Sequence, residues 1–66
     1  MTIVEARLSK GLTQQEVADM LGVSRPTYIR MEKHPEDMTI ATSRLLSEIL
    51  GMPLSDFFSL ETIENL

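Results

Sequence analysis

Cysteine and tryptophan are both absent from the 66 residues. Without thiols there is no disulfide, no thiolate metal site and no cysteine nucleophile, which suits a reducing compartment. Histidine occurs once, at His34, too few for a Ser-His-Asp relay or a histidine-based zinc site. The three glycines lie in separate places and build no phosphate cradle, and repeats and low-complexity stretches are missing. Alternating runs and Asn-Gly or Asp-Gly hairpin signals, the marks of strands, are also missing. No window holds the roughly 20 apolar residues that a membrane span needs. The opening residues Met1 to Arg7 carry no basic leader followed by a long apolar run. These absences point to one soluble, cytoplasmic domain with a modest core, no cofactor, no metal and no small-molecule ligand. They leave no feature of an enzyme, and at this length no room for a second, ligand-sensing domain.

What is there begins with charge. The net value is −4, and it is unevenly spread. Residues 1–33 carry Arg7, Lys10, Arg25, Arg30 and Lys33 against Glu5, Glu16, Asp19 and Glu32, a net +1. Residues 34–66 carry Arg44 against Glu36, Asp37, Glu48, Asp56, Glu61 and Glu64, a net −5. Attraction to an anionic partner depends on the local field, so the first half remains eligible for it.

Helix signals are dense. Thr2 caps a first helix with Val4 and Leu8 on one face, stopping near Gly11. Thr13-Gln14-Gln15-Glu16 is a capping box that opens a second helix running to about Met20, with Val17, Ala18 and Leu21 inward. Ser24 caps a third helix, with Pro26 in its first turn, where a missing N–H costs nothing. Tyr28 and Met31 share that helix's inner face, and His34-Pro35-Glu36-Asp37 ends it. Thr39 caps a fourth helix through Leu50, turned by Gly51 and closed by Pro53, with Ser43, Leu46, Ser47 and Leu50 inward. A short fifth helix over Leu54 to Phe58 adds two phenylalanines to the core. The five methionines serve mostly as core filler. Residues 1–58 form the domain, and 59–66, with Leu60, Ile63 and Leu66 at threefold spacing, a short C-terminal tail. The fold class is all-α, a compact bundle of about five short helices.

Only three or four residues separate the second helix from the third. Ala18 is small where the two cross, and Gly22 stands where the turn needs a positive φ. That spacing matches a helix-turn-helix over Gln14 to Lys33. Beyond the bare pattern, Gly11-Leu12-Thr13-Gln14-Gln15-Glu16-Val17-Ala18 followed by Leu21-Gly22-Val23-Ser24-Arg25 resembles the Cro and lambda-repressor type, or xenobiotic-response-element, family. The likeness runs from Arg7 to Leu50-Gly51 and Phe57-Phe58. The loop from His34 to Ile40 resembles a variant found in phage and Gram-positive members.

The resemblance implies a lambda-repressor-like domain that binds double-stranded DNA at a palindromic operator, as a homodimer. It places Arg25, Pro26, Thr27 and Arg30 at the base-reading edge, with Arg25 foremost. Thr13, Gln14, Ser24 and Lys33 fall at phosphate-contacting places, and Arg7 with Glu32 forms a structural salt bridge from the first helix to the third. Two departures stand out. Glu36 and Asp37 follow Lys33 where relatives carry basic residues, and Pro26 removes a polar side chain from the second reading position. Ile29 replaces a usually polar residue. Leu45, Ile49 and Met52 form a second apolar stripe, the expected dimer surface. A regulator of the repressor or Cro kind is the leading functional reading. The acidic second half keeps open an alternative, a protein-binding helix-turn-helix of antirepressor or antitoxin-like kind with weak DNA affinity.

Overall fold

The computed structural model describes residues 1–57; Phe58 and the expected tail 59–66 lie outside the described residues. Four α-helices and two short 3-10 turns follow one another, and the described residues contain no strand. Helix α1 spans Ile3–Ser9, α2 Gln14–Leu21, α3 Arg25–Lys33 and α4 Ile40–Leu50. A 3-10 turn at Pro35–Asp37 joins α3 to α4, and another at Leu54–Phe57 follows α4.

Each α-helix begins on a hydroxyl. Thr2 and Thr13 both form complete capping boxes, with Glu5 and Glu16 reaching back to the cap amides. Ser24 accepts from the Thr27 amide, and Thr39 from that of Thr42. Pro26 fits the first turn of α3, whose amides have no partner within the helix. Gly22 ends α2 at φ 73°. A Cβ there would meet nothing within 4 Å, so it is the backbone conformation, not space, that calls for glycine.

The core gathers Ile3, Ala6, Val17, Ala18, Tyr28, Leu46, Leu50, Met52 and Phe57. Leu12, Leu21, Val23, Met31, Met38 and Ile49 pack around it. Helix α2 lies against both α3 and α4, and α1 against α4. With Ala18 fully buried, α2 and α3 pack closely enough for the short turn to join them.

Helix α1 turns Ile3, Ala6 and Arg7 inward and leaves Val4 and Leu8 exposed, and two expectations about later segments need correction. Both sets have helical spacing, and the buried one is anchored by the polar contacts of Arg7. The fifth helix is only the 3-10 turn Leu54–Phe57: the Asp56 amide donates to the Pro53 carbonyl, three residues back, and no regular α-turn follows within the described residues. Met52 is 2% exposed and belongs to the core, held there as Ser47 donates its hydroxyl to the Met52 carbonyl. It is therefore unavailable for a dimer surface.

Candidate nucleic-acid interface

Beneath the edge expected to meet a ligand lies a polar layer linking three helices. Arg7 of α1 donates from Nε to Glu32 Oε2 of α3 at 2.6 Å, and from Nη1 to the Leu12 carbonyl at 3.0 Å. Gln14, the first residue of α2, donates from Nε2 to the other Glu32 oxygen at 2.9 Å. The ion pair is largely out of water, its side chains 10% and 5% exposed. Burial disfavours ionised Glu32. The Gln14 amide and the Arg7 guanidinium, both bonded to the carboxylate, outweigh it and hold the carboxyl below its ordinary value. Tyr28 is fully buried beside this pair, and its hydroxyl finds no hydrogen-bond partner of acceptable geometry among the described residues. Burial above all, then the neighbouring Glu32 carboxylate, pushes its pKa well above the ordinary tyrosine value.

This layer fixes how α2 and α3 present their outer surfaces. Arg25, Pro26, Thr27 and Arg30 are all exposed on α3. Among the described residues, neither arginine side chain makes an ion pair or hydrogen bond, and neither does that of Lys33 in the last turn. An open cleft brings Arg25 together with Thr13, Gln14 and Gln15 at the start of α2. Thr27 and Arg30 wall a second cleft of about 200 Å³ with Met31, Met38, Thr39 and Thr42. So Thr13, Gln14 and Arg25 share one cleft, and Thr27 and Arg30 share another.

Two connections escaped the sequence reading. Gln14 was expected to face a phosphate, yet one of its amide hydrogens is directed at Glu32, 18 residues away. Ser24 not only caps α3 but pairs its hydroxyl with that of Thr27 at 2.9 Å. The Ser-x-x-Thr spacing at a helix start is the signal that could have found the second; nothing local announces the first. Thr13, by contrast, uses its oxygen to accept from the Glu16 amide and keeps its proton free among the described residues.

The first half therefore offers a cationic edge. Its one carboxylate on α3 is neutralised inside, while Glu36 and Asp37 are exposed just beyond α3. His34, the α3 C-cap, lies 3.3 Å from Glu36. Among the described residues no group of acidic and histidine side chains could hold a metal, and no helix is long and apolar enough to cross a membrane.

Comparison with known proteins gives this arrangement a context. A helix-turn-helix family model matches residues 3–57. The cryptic phage CTXphi transcriptional repressor RstR of Vibrio cholerae is 32% identical over 57 residues, covering 86% of this chain and 51% of that one. The chain thus spans about half the length of that repressor. An uncharacterised HTH-type transcriptional regulator of Methanocaldococcus jannaschii is 34% identical over 58 residues, covering 88% of each chain. No solved structure matches. Both relatives are named as transcription regulators, and neither as an enzyme.

Proposed function

Because the chain belongs to the helix-turn-helix family, we propose that it is a sequence-specific DNA-binding regulator of the repressor or Cro kind, with α3 in the major groove. The observation that carries this reading is the polarity of α3: Arg25, Thr27 and Arg30 face outward, and its single carboxylate is turned inward onto Arg7. Arg25 leads the base reading, with Pro26, Thr27 and Arg30 beside it. Thr13, with its free proton, Gln14, with its second amide hydrogen, and Lys33 hold backbone phosphates. Ser24 contributes as the residue that opens α3, where the Arg25 amide is left to meet an anion.

One such domain covers a half-site, so a homodimer on a palindrome is the functional unit, with half-sites about one helical turn apart. Leu45, 53% exposed on α4, heads the partner surface, with half-buried Ile49 beside it. Leu45→Asp is expected to render the protein monomeric in ultracentrifugation at concentrations where the wild type is dimeric. An unchanged dimer would remove α4 from the interface.

Selection from a randomised duplex library at low salt tests the reading itself. A palindromic consensus is expected whose affinity falls steeply as salt rises and whose enrichment collapses in Arg25→Ala. The exposed Glu36 and Asp37 beyond α3 favour one competing reading, a protein-binding domain of antirepressor kind. Absence of enrichment, or binding indifferent to Arg25, would leave that reading standing instead.

A further inference from the structure

The outward surface of α3 is one-sided in its hydrogen bonding. Arg25, Arg30 and Lys33 are donors without acceptor capacity. Helix α3 contains no asparagine or glutamine, and its only carboxylate, Glu32, is committed to Arg7 and Gln14. Thr27 is the remaining polar side chain on the exposed surface. Its Oγ1 lies 2.9 Å from the Ser24 hydroxyl, and it keeps both a donor and an acceptor direction of its own. Pro26 and half-buried Ile29 add only apolar surface.

From this we infer that the two arginines read operator acceptors only, guanine opposite Arg25 and Arg30, with a thymine methyl against Pro26 and Thr27. The inference rests on the DNA-reading function proposed above and adds the composition of the half-site. In the major groove guanine presents N7 and O6, two acceptors that match one guanidinium. Thymine presents the O4 acceptor beside its methyl group, which suits a hydroxyl donor flanked by proline and a threonine methyl. Cytosine shows an amino donor, and adenine one donor beside one acceptor. Neither can be read in full by an arginine, whose guanidinium has no acceptor.

The same library selection, run on the wild type, Arg25→Ala, Arg30→Ala and Arg25→Gln, decides it. Positions whose preference is lost in each alanine variant are those read by that arginine. Both are expected to be G·C in the wild-type consensus. Replacing the Arg25-dependent guanine by 7-deazaguanine, which lacks the N7 acceptor, is expected to weaken wild-type binding about fivefold or more and leave Arg25→Ala unmoved. Arg25→Gln supplies a donor and an acceptor together, so that single position is expected to shift from guanine to adenine. An A·T pair at the arginine-dependent positions of the wild type, or full tolerance of 7-deazaguanine, would overturn this inference while leaving DNA reading intact. A library with no enrichment would instead overturn the function on which it rests.

Discussion

The inner and outer layers of α1–α3 use the same side-chain chemistry to opposite ends. In the inner layer Arg7 is nearly buried, bonded to a carboxylate and a backbone carbonyl, and acts as a brace between helices. In the outer layer Arg25 and Arg30 stand in water with no protein partner among the described residues, their donors unspent. An arginine's role here is set by whether a carboxylate and a dry environment meet it, not by its type. The two layers also share a member. Gln14 leans one amide hydrogen inward to Glu32 while the start of its helix opens outward. Interior electrostatics thereby reach the place where a phosphate would dock.

If this division of labour is right, the largest effect comes from breaking the inner layer. Glu32→Ala leaves the Arg7 guanidinium and the Gln14 amide without their acceptor, and a broken buried pair costs about 3–5 kcal/mol. For a domain whose total stability falls in the usual range of about 5–15 kcal/mol, that is most of the margin. Thermal or urea unfolding would read it directly. Removing both charges, with Arg7→Met and Glu32→Leu together, is expected to recover most of the loss, since replacing a pair costs far less than orphaning one partner. The same layer predicts the acid limb. Glu32 has a native pKa below the 4.5 of the free side chain. Its contribution is therefore complete above pH 4.5 and disappears as pH falls through the lower native value. A stability profile flat from pH 5 to pH 2 would mean the pair contributes nothing.

The outer layer should give the reverse pattern at smaller amplitude. Arg25→Ala is expected to leave unfolding within about 0.5 kcal/mol of the wild type, as for exposed sites without partners. Its cost in discrimination between operator and mismatched DNA should be about 1–3 kcal/mol. A variant that lost stability and binding in parallel would show that the two layers are not separable.

The placement of the outer layer followed from local signals, whereas of the inner layer only the Arg7–Glu32 bridge was expected, and that through the family resemblance. Caps and turns are local codes: Thr13 with Glu16, Ser24 with Pro26, Thr39, Gly22 and Gly51 each act within a few residues, and the helix starts follow from them. The exposed places of Arg25, Pro26, Thr27 and Arg30 follow from where α3 begins. Inward faces are decided by partners far along the chain. In a seven-residue helix the stripe Val4 and Leu8 is as periodic as Ile3, Ala6 and Arg7, and hydropathy alone does not tell that the set with the arginine is the buried one. Met52 looked like surface because it follows the end of α4, yet the left-handed turn at Gly51 sends it back under the helix. The Gln14–Glu32 contact could not be read at all, since a residue at the start of α2 meets its partner only after the helix-turn-helix has folded.

The smallest expected effect tests the inner layer where it is imperfect. Tyr28 is fully buried, but its hydroxyl lacks a partner of acceptable geometry although Glu32 is close by. A buried hydroxyl without a bond is costly, so Tyr28→Phe should be neutral or stabilising by up to about 1 kcal/mol, unlike other changes in this core. It should also remove an alkaline limb. Burial raises the Tyr28 pKa far above its free value of 10.0, so the native state holds this proton more tightly than the unfolded chain does. Stability from that difference is intact below pH 10 and falls as pH rises beyond it. The wild type should weaken between pH 10 and 11 while Tyr28→Phe loses less. A variant destabilised by about 1 kcal/mol at neutral pH would mean that the hydroxyl donates to Glu32 in solution, making it a fourth member of the buried layer.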